Sequence, residues 1–487
     1  MIFSSIIFLF HFLPFTLAAY YIAPPRAKNT VLFVCSLVFY CWGEVRFFPV
    51  MLTLILINYL CGLAIAHFEG RPGMRRLFLA LALVGSLGML FYFKYANFVL
   101  ESANALLGTS FAPIEGISVL PLGISFYTFQ TLSYTIDVYR HDVASEKNII
   151  DFGAYVVMFP QLIAGPIVKY RDVAAQLHVY KHRYNIAQIE EGMTIFTFGL
   201  AKKVLLADAV GALWTDIIGV ADDASVTFVG LANASTGLVW LGILAYSFQL
   251  YFDFSGYSMM AIGMGKMMGF EFPQNFNYPY ISASITEFWR RWHMTLSSWF
   301  REYVYIPLGG NRRHRWFNLL VTWCLTGLWH GASWNFLLWG FYFFVLLSVE
   351  KPLLKKLRRW PNVVRNLLTM FLVVIGWTIF YFTDFARLGQ AFAVMFGFAG
   401  SGFVSGQVHI LLLNNLPLLL LCILGSSILP RALGNYFGVL CAKRPGDGNG
   451  RQLIFVTVSY VFSVALIALS TVSLVGSGFS AFLYYRF

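Results

Sequence analysis

Charge is scarce in this chain. Lys, Arg, Asp and Glu make up 11% of its 487 residues, while 59% are hydrophobic. A soluble domain could not cover that much apolar surface, whereas a bilayer can. Acidic residues are the scarcer sign, 22 Asp and Glu against 34 Lys and Arg, for a net charge of +12. The positive residues cluster in short loops. That pattern fits control of topology and attraction to anionic lipid headgroups, not nucleic-acid binding. Cysteine is also sparse. Cys35, Cys41, Cys61, Cys324, Cys422 and Cys441 lie singly in apolar segments or at their ends. None has metal-ligand spacing and nothing outlines a disulfide framework, so no metal is expected. The opening MIFSSIIFLFHFLPF lacks the basic n-region and small-residue cleavage site of a signal peptide. It reads as a retained first membrane helix. No internal repeat or low-complexity tract is visible.

The emptiest stretch as regards charge is the most informative. Residues Phe317 to Val349 contain no Lys, Arg, Asp or Glu, yet hold one histidine, His330, within WCLTGLWHGASWNFLLW. Arg312, Arg313 and Arg315 precede it, and Lys351, Lys355, Lys356, Arg358 and Arg359 follow. Basic flanks tend to be cytoplasmic, so the segment must enter the membrane and return, or lie strongly bent. Gly327, Gly331 and Ser333 permit the break. His330 then sits near the turning point at membrane depth, where ionisable groups are costly and are functional candidates. The structural alternative is a satisfied histidine bridging two helices.

Basic loops set a register for the rest. Apolar segments at Ile2–Ile22, Val31–Trp42, Phe48–His67 and Leu77–Phe93 alternate with loops carrying Arg26 and Lys28, then Arg71, Arg75 and Arg76. Further on, Leu367–Phe382, His409–Leu429 and Leu453–Leu474 are separated by residues 351–365 and by a basic loop at 431–452. With loops 69–76, 301–316, 351–365 and 431–452 cytoplasmic, both termini lie outside. The expected fold is an all-α polytopic membrane protein. It has about 11–12 transmembrane helices, with re-entrant and interfacial helices around a central tunnel. Residues 1–474 form one membrane domain and 475–487 an outer tail.

The middle of the chain departs from simple spans. PLGISFYTFQTLSYTIDVYR is too rich in hydroxyls to face lipid and is expected inside the protein or lining a cavity. FPQLIAGP, with Pro160 and Pro166 around Gly165, predicts a broken or re-entrant segment. Gly192–Gly211 carries Lys202, Lys203 and Asp208, which suggests a helix partly along the interface. Asp253 in QLYFDFSGYSMMAIG reads either as an N-cap or as a polar site contact. In Ile285–Tyr305 the residues Ile285, Phe288, Trp292, Leu296, Trp299 and Tyr303 recur at helical steps, predicting one amphipathic helix at the membrane interface with His293 beside its stripe.

Four stretches together resemble the membrane-bound O-acyltransferases, and within them the bacterial alginate O-acetyltransferase branch. They are PLGISFYTFQTLSYTIDVYR, QLYFDFSGYSMMAIG, SITEFWRRWHMTLSSWFREYVYIPLGGNRR and GLWHGASWNF. The resemblance implies that His330 is the catalytic histidine and His293 the second active-site position. It also implies no permanently bound cofactor. An acetyl-coenzyme A or acyl-carrier-protein thioester on the cytoplasmic side would be the acyl donor. The acceptor would be a cell-surface glycan, such as an alginate-like exopolysaccharide, peptidoglycan or teichoic acid. An exported SGNH-type partner and a bacterial inner-membrane location complete the picture. The terminal FLYYRF resembles a Phe-x-Tyr-x-x-Phe tail motif of bacterial relatives, which makes Tyr484 an acyl-carrier candidate; an interfacial aromatic anchor is the alternative. Two other classes stay open from sequence: a transporter or flippase, which also uses broken helices, and a non-catalytic scaffold of an envelope glycan complex.

Overall fold

The computed structural model describes residues 1–117, 119–163, 165–178, 185–219, 230–357, 359–399, 402–441 and 450–477. The helices, short turns aside, are α1 (Phe8–Ile22), α2 (Lys28–Gly43), α3 (Phe48–His67), α4 (Pro72–Leu107), α5 (Ile124–Arg140), α6 (Ile149–Val157), α7 (Tyr170–His178), α8 (Ile186–Ala201), α9 (Asp208–Ile218) and α10 (Thr236–Met267). They continue as α11 (Ile285–Arg291), α12 (Met294–Phe300), α13 (Arg315–His330), α14 (Trp334–Leu357), α15 (Asn362–Tyr381), α16 (Phe385–Met395), α17 (Gly406–Gly425), α18 (Leu429–Cys441) and α19 (Gly450–Ser477). No strand occurs among the described residues. Six helices among them are long and apolar enough to cross a membrane: α3, α4, α10, α15, α17 and the Val456–Gly476 part of α19. Phe8–Ile22 and Trp334–Glu350 are apolar but shorter. Helices satisfy their own backbone groups, the condition for residence in hydrocarbon.

Close helix contact rests on glycine. In α8, Gly192 and Gly199 face Gly263 and Gly256 of α10 in an antiparallel crossing. A Cβ on Gly199 would lie 2.6 Å from the Gly256 carbonyl oxygen, and one on Gly263 would lie 2.5 Å from that of Gly192. Two backbones can touch this way only where side chains are absent. Here the charges of this segment find their place. Lys203 is buried and pairs with Asp253 Oδ1 at 3.2 Å and with Asp208. The segment expected to lie partly along the interface, Gly192–Gly211, therefore packs one face against α10, with Lys203 and Asp208 paired within the protein. Nor is Asp253 an N-cap: it lies in the interior of the unbroken α10.

The hydroxyl-rich α5 is buried along nearly its whole length, as its composition predicts. The FPQLIAGP segment is broken as well. Helix α6 stops at Met158, a single turn Phe159–Leu162 follows, and residues 163 and 165–169 are not helical. A Cβ on Gly165 would meet Gln161 Cα at 2.6 Å, so the tight return needs glycine there.

The aromatic stripe of Ile285–Tyr305 differs from expectation in two ways. It is buried in the protein core instead of lying on a lipid interface. It is also not one helix. Helix α11 ends at Trp292, and His293 adopts a left-handed conformation, φ 42°, before α12 begins. Periodicity runs across the break because a single residue absorbs the change of direction.

Candidate active site

The charge-free segment forms a helical hairpin, α13 followed by α14, with His330 as the last residue of α13. Glycines let the two arms close. A Cβ on Gly327 would lie 2.1 Å from the Phe336 carbonyl oxygen, and one on Gly340 would lie 2.3 Å from that of Trp323. One face of α13 is polar from bottom to top. Asn318, Thr322, Thr326 and His330 recur every fourth residue and are buried. Thr322 and Thr326 donate their hydroxyls to the carbonyls one turn back, at 2.7 and 2.8 Å, so the stripe satisfies itself without a partner helix.

His330 is 3% exposed and boxed by aromatic rings. Ring centroids of Trp329, Trp339 and Phe380 lie 4.9, 5.1 and 5.2 Å away, all nearly perpendicular to the imidazole. Phe380 is the penultimate residue of α15, roughly 27 Å of helix beyond Asn362. The hairpin tip therefore lies far from the basic residues at its base, as the sequence predicts. Asn335, just past the turn, ties the tip to α15 through the Ile379 and Phe380 carbonyls at 3.3 and 3.2 Å.

His293 reaches the same place from the α11–α12 break. Its ring lies 5.9 Å from that of Trp329, so one indole packs against both histidines. The imidazole is 1% exposed. Its Nδ1 is 3.0 Å from Asn275 Oδ1. That oxygen also accepts from Thr295, from Oγ1 at 2.9 Å and the backbone N–H at 3.3 Å, while Asn275 Nδ2 donates to Ser258 Oγ at 3.0 Å. The amide orientation is thus set by its own bonds, and Nδ1 of His293 must be the donor. In the neutral ring Nε2 is then a lone-pair acceptor, buried with no hydrogen-bond partner among the described residues. The indole N–H groups of Trp289, Trp329 and Trp339 are likewise buried without an acceptor among the described residues. So many unused polar atoms in one place need an explanation.

Sequence reasoning missed Lys94 and Asn275. Lys94 donates to the Trp329 carbonyl and to Ser125 Oγ, at 3.2 Å in the latter case. Its signal was available: one lysine inside the apolar FYFKYANF. Asn275 has no such signal, since its neighbour His293 is eighteen residues away and is brought to it by the fold. Tyr484, with Phe482 and Phe487, lies outside the described residues.

A second polar cluster stands apart. A cavity of about 660 Å³ lies between residues 142–148 and α7, lined among others by Glu146, Asp151, Arg171 and His178. Glu146, Asp151 and His178 bring ligand-type atoms within 4.8 Å of one another. They are already engaged: Tyr170 and His178 bond Glu146 at 2.5 and 2.8 Å, while Asn29 and Asn148 donate to Asp151 at 2.9 and 3.0 Å. Beside the cavity, Glu302 is held by Lys169 at 2.8 Å and by Arg171. Burial raises the Glu302 carboxyl, but the bonds from Lys169 and Arg171 outweigh it and leave the group below its ordinary value.

A multi-pass helical membrane protein with two buried histidines around one indole is laid out for acid–base group transfer away from water. The membrane-bound O-acyltransferase family profile matches residues 37–392. The chain belongs to that family and is an O-acyltransferase. It is 45% identical over 406 residues to a probable alginate O-acetylase of Pseudomonas aeruginosa, covering 82% of this chain and 75% of that one. It is 34% identical over 442 residues to a peptidoglycan O-acetyltransferase of Helicobacter pylori, covering 83% and 81%. A teichoic acid D-alanyltransferase of Bacillus subtilis is 29% identical over 281 residues, 53% of this chain and 68% of that one.

Proposed function

We propose that this acyltransferase moves an acetyl group from a cytoplasmic thioester, acetyl-coenzyme A or an acyl-carrier protein, through the bacterial inner membrane to O-acetylate a cell-surface polysaccharide. An exported SGNH-type protein would take part on the outer side. The similarity to alginate and peptidoglycan O-acetylating proteins supports acetyl over other acyl groups. The observation that carries the reading is His330 at the tip of the α13–α14 hairpin, buried in an aromatic box with His293 across one indole.

The chemistry follows from those side chains. His330 takes the proton of an acceptor hydroxyl as its oxygen attacks the thioester carbonyl. The C–O bond forms, the C–S bond breaks, and the proton passes from the imidazolium to the departing thiolate. The carbonyl oxygen carries negative charge in between, and the unpartnered indole N–H groups of Trp329 and Trp339 suit it as donors. His293 does not serve as a further donor to that oxygen. With Nδ1 committed to Asn275, its Nε2 accepts instead, and it suits an N–H or O–H of a substrate. A central passage from the basic loops to His330, along the Asn318–Thr322–Thr326 face, would bring the donor to the hairpin tip. Water excluded by the ring box cannot compete with the acceptor hydroxyl.

The test is His330→Ala in cells that lack any other such transferase. At wild-type membrane level, the variant should leave the isolated envelope polysaccharide without base-labile acetyl ester. Ester at the wild-type level would overturn the assignment.

A further inference from the structure

Lys94 lies in the π-helical turn Phe91–Tyr95 within α4 and is 9% exposed. Helix α13 ends at His330, so its last carbonyls lack partners of their own helix. Two neighbours on α4 supply them. Lys94 Nζ donates to the Trp329 carbonyl, and Tyr95 OH donates to the Leu328 carbonyl at 2.8 Å. The ammonium also stands 5.9 Å from the centroid of the Trp329 ring. No Asp or Glu pairs with it among the described residues, in contrast to Lys203, which has two carboxylates.

Capping alone does not call for that arrangement. A neutral donor would satisfy the Trp329 carbonyl, as Tyr95 does for Leu328, without the cost of a buried charge. The ammonium is balanced by the negative end of the α13 dipole and by a serine oxygen, not by a counter-ion. A π turn displaces side chains from regular helical register and is found often at functional sites. Here it presents a lone cation to the peptide that carries the His330 side chain.

Building on the acyl-transfer reading of His330, we propose that Lys94 is a positioning residue for that reaction. It fixes the Trp329–His330 peptide and keeps a positive charge beside the base, where the thioester oxygen becomes negative during attack. The substrate class this suits is an acyl thioester whose tetrahedral adduct is anionic. The charge, and not only the hydrogen bond, is the functional element.

Three substitutions separate charge from hydrogen bond. Lys94→Arg keeps both, Lys94→Gln keeps a donor without charge, and Lys94→Met keeps neither. The readout is base-labile acetyl on isolated envelope polysaccharide per folded protein, with folded protein quantified by monodisperse elution and melting temperature in detergent. Lys94→Met and Lys94→Gln should both fall by about 100-fold, the scale of a lost electrostatic or positioning element. Lys94→Arg should stay within about 10-fold of wild type, since it restores the charge. Gln at the wild-type rate, or Arg as low as Met at an equal melting temperature, would overturn the proposal. His330→Ala run alongside keeps the two readings apart. Ester from His330→Ala removes the acyl-transfer assignment, whereas a silent His330→Ala with an active Lys94→Gln removes only the role of Lys94.

Discussion

Asn275 Oδ1 lies 3.0 Å from His293 Nδ1 and fixes which nitrogen of that histidine carries the proton. The pair joins the loop after α10 to the break between α11 and α12, at a histidine held in a left-handed conformation. A residue eighteen positions from His293 thereby decides whether its inward nitrogen accepts or donates.

Asn275→Asp keeps the acceptor oxygen and should retain activity within about 10-fold, whereas Asn275→Leu releases the ring and should lose about 10–100-fold, as for a misplaced acid–base group. Polysaccharide ester per folded protein measures both. Equal activity of Leu and wild type would return His293 to a packing role.

The α8–α10 crossing leaves no room at Gly199, whose Cβ would sit 2.6 Å from the Gly256 carbonyl oxygen and 2.7 Å from the Met260 nitrogen. Gly199→Ala forces the backbones apart and should cost about 1–3 kcal/mol, read as a lower melting temperature in detergent. Gly88→Ala is the comparison, because nothing lies within 4 Å of the position its Cβ would take; it should melt as wild type does.

Glu302 titrates below its ordinary value; burial raises it, and Lys169 and Arg171 bring it down further than burial lifts it. A depressed carboxylate contributes stability that is present above the unfolded-state pKa and is lost as pH falls through the folded one. Glu302→Gln should therefore melt lower than wild type at pH 7. The gap should persist to about pH 4.3, the ordinary glutamate value, and close below it. A gap unchanged at lower pH would mean that the ion pairs do not hold this corner.

Tyr484→Phe keeps the aromatic ring and removes the nucleophile. If the tail relays acyl groups, this variant should be as silent as His330→Ala while reaching the membrane at the wild-type level. A normal amount of polysaccharide ester would mean that transfer runs from donor to acceptor at His330 directly, with the tail as an anchor.

The hairpin was legible in the sequence because its evidence is chemical. A membrane segment with basic residues at both ends must turn, and Gly327, Gly331 and Ser333 mark where. FPQLIAGP was legible for the same reason, since proline and glycine act locally. The break at His293 was not, because a helical stripe continues in phase through one left-handed residue. The burial of that stripe was hidden too: aromatic residues suit a lipid interface and a protein interior equally, and sequence periodicity does not tell them apart. Lys203 was misread, and Asp253 was left between a cap and a polar contact, because each is explained by the other, fifty residues away and on a different helix. Lys94 stood out in composition but gained meaning only once α4 was seen against the end of α13.

Glu350 sits on α14, in the arm of the hairpin that leads away from His330. Its carboxylate accepts from the backbone N–H groups of Ile285 and Thr286, with 3.0 Å between Thr286 N and Glu350 Oε2, and so anchors the start of α11. Helix α11 leads directly to His293. Both histidines are therefore tied to one hairpin, His330 at the end of α13 and His293 through the helix clamped to α14. From Trp334 to Glu350 that arm is roughly 24 Å long, so the clamp on α11 acts far from the turn that carries His330. A change at Glu350 is therefore expected to reach both imidazoles, His330 through the hairpin and His293 through the helix that ends at its left-handed residue.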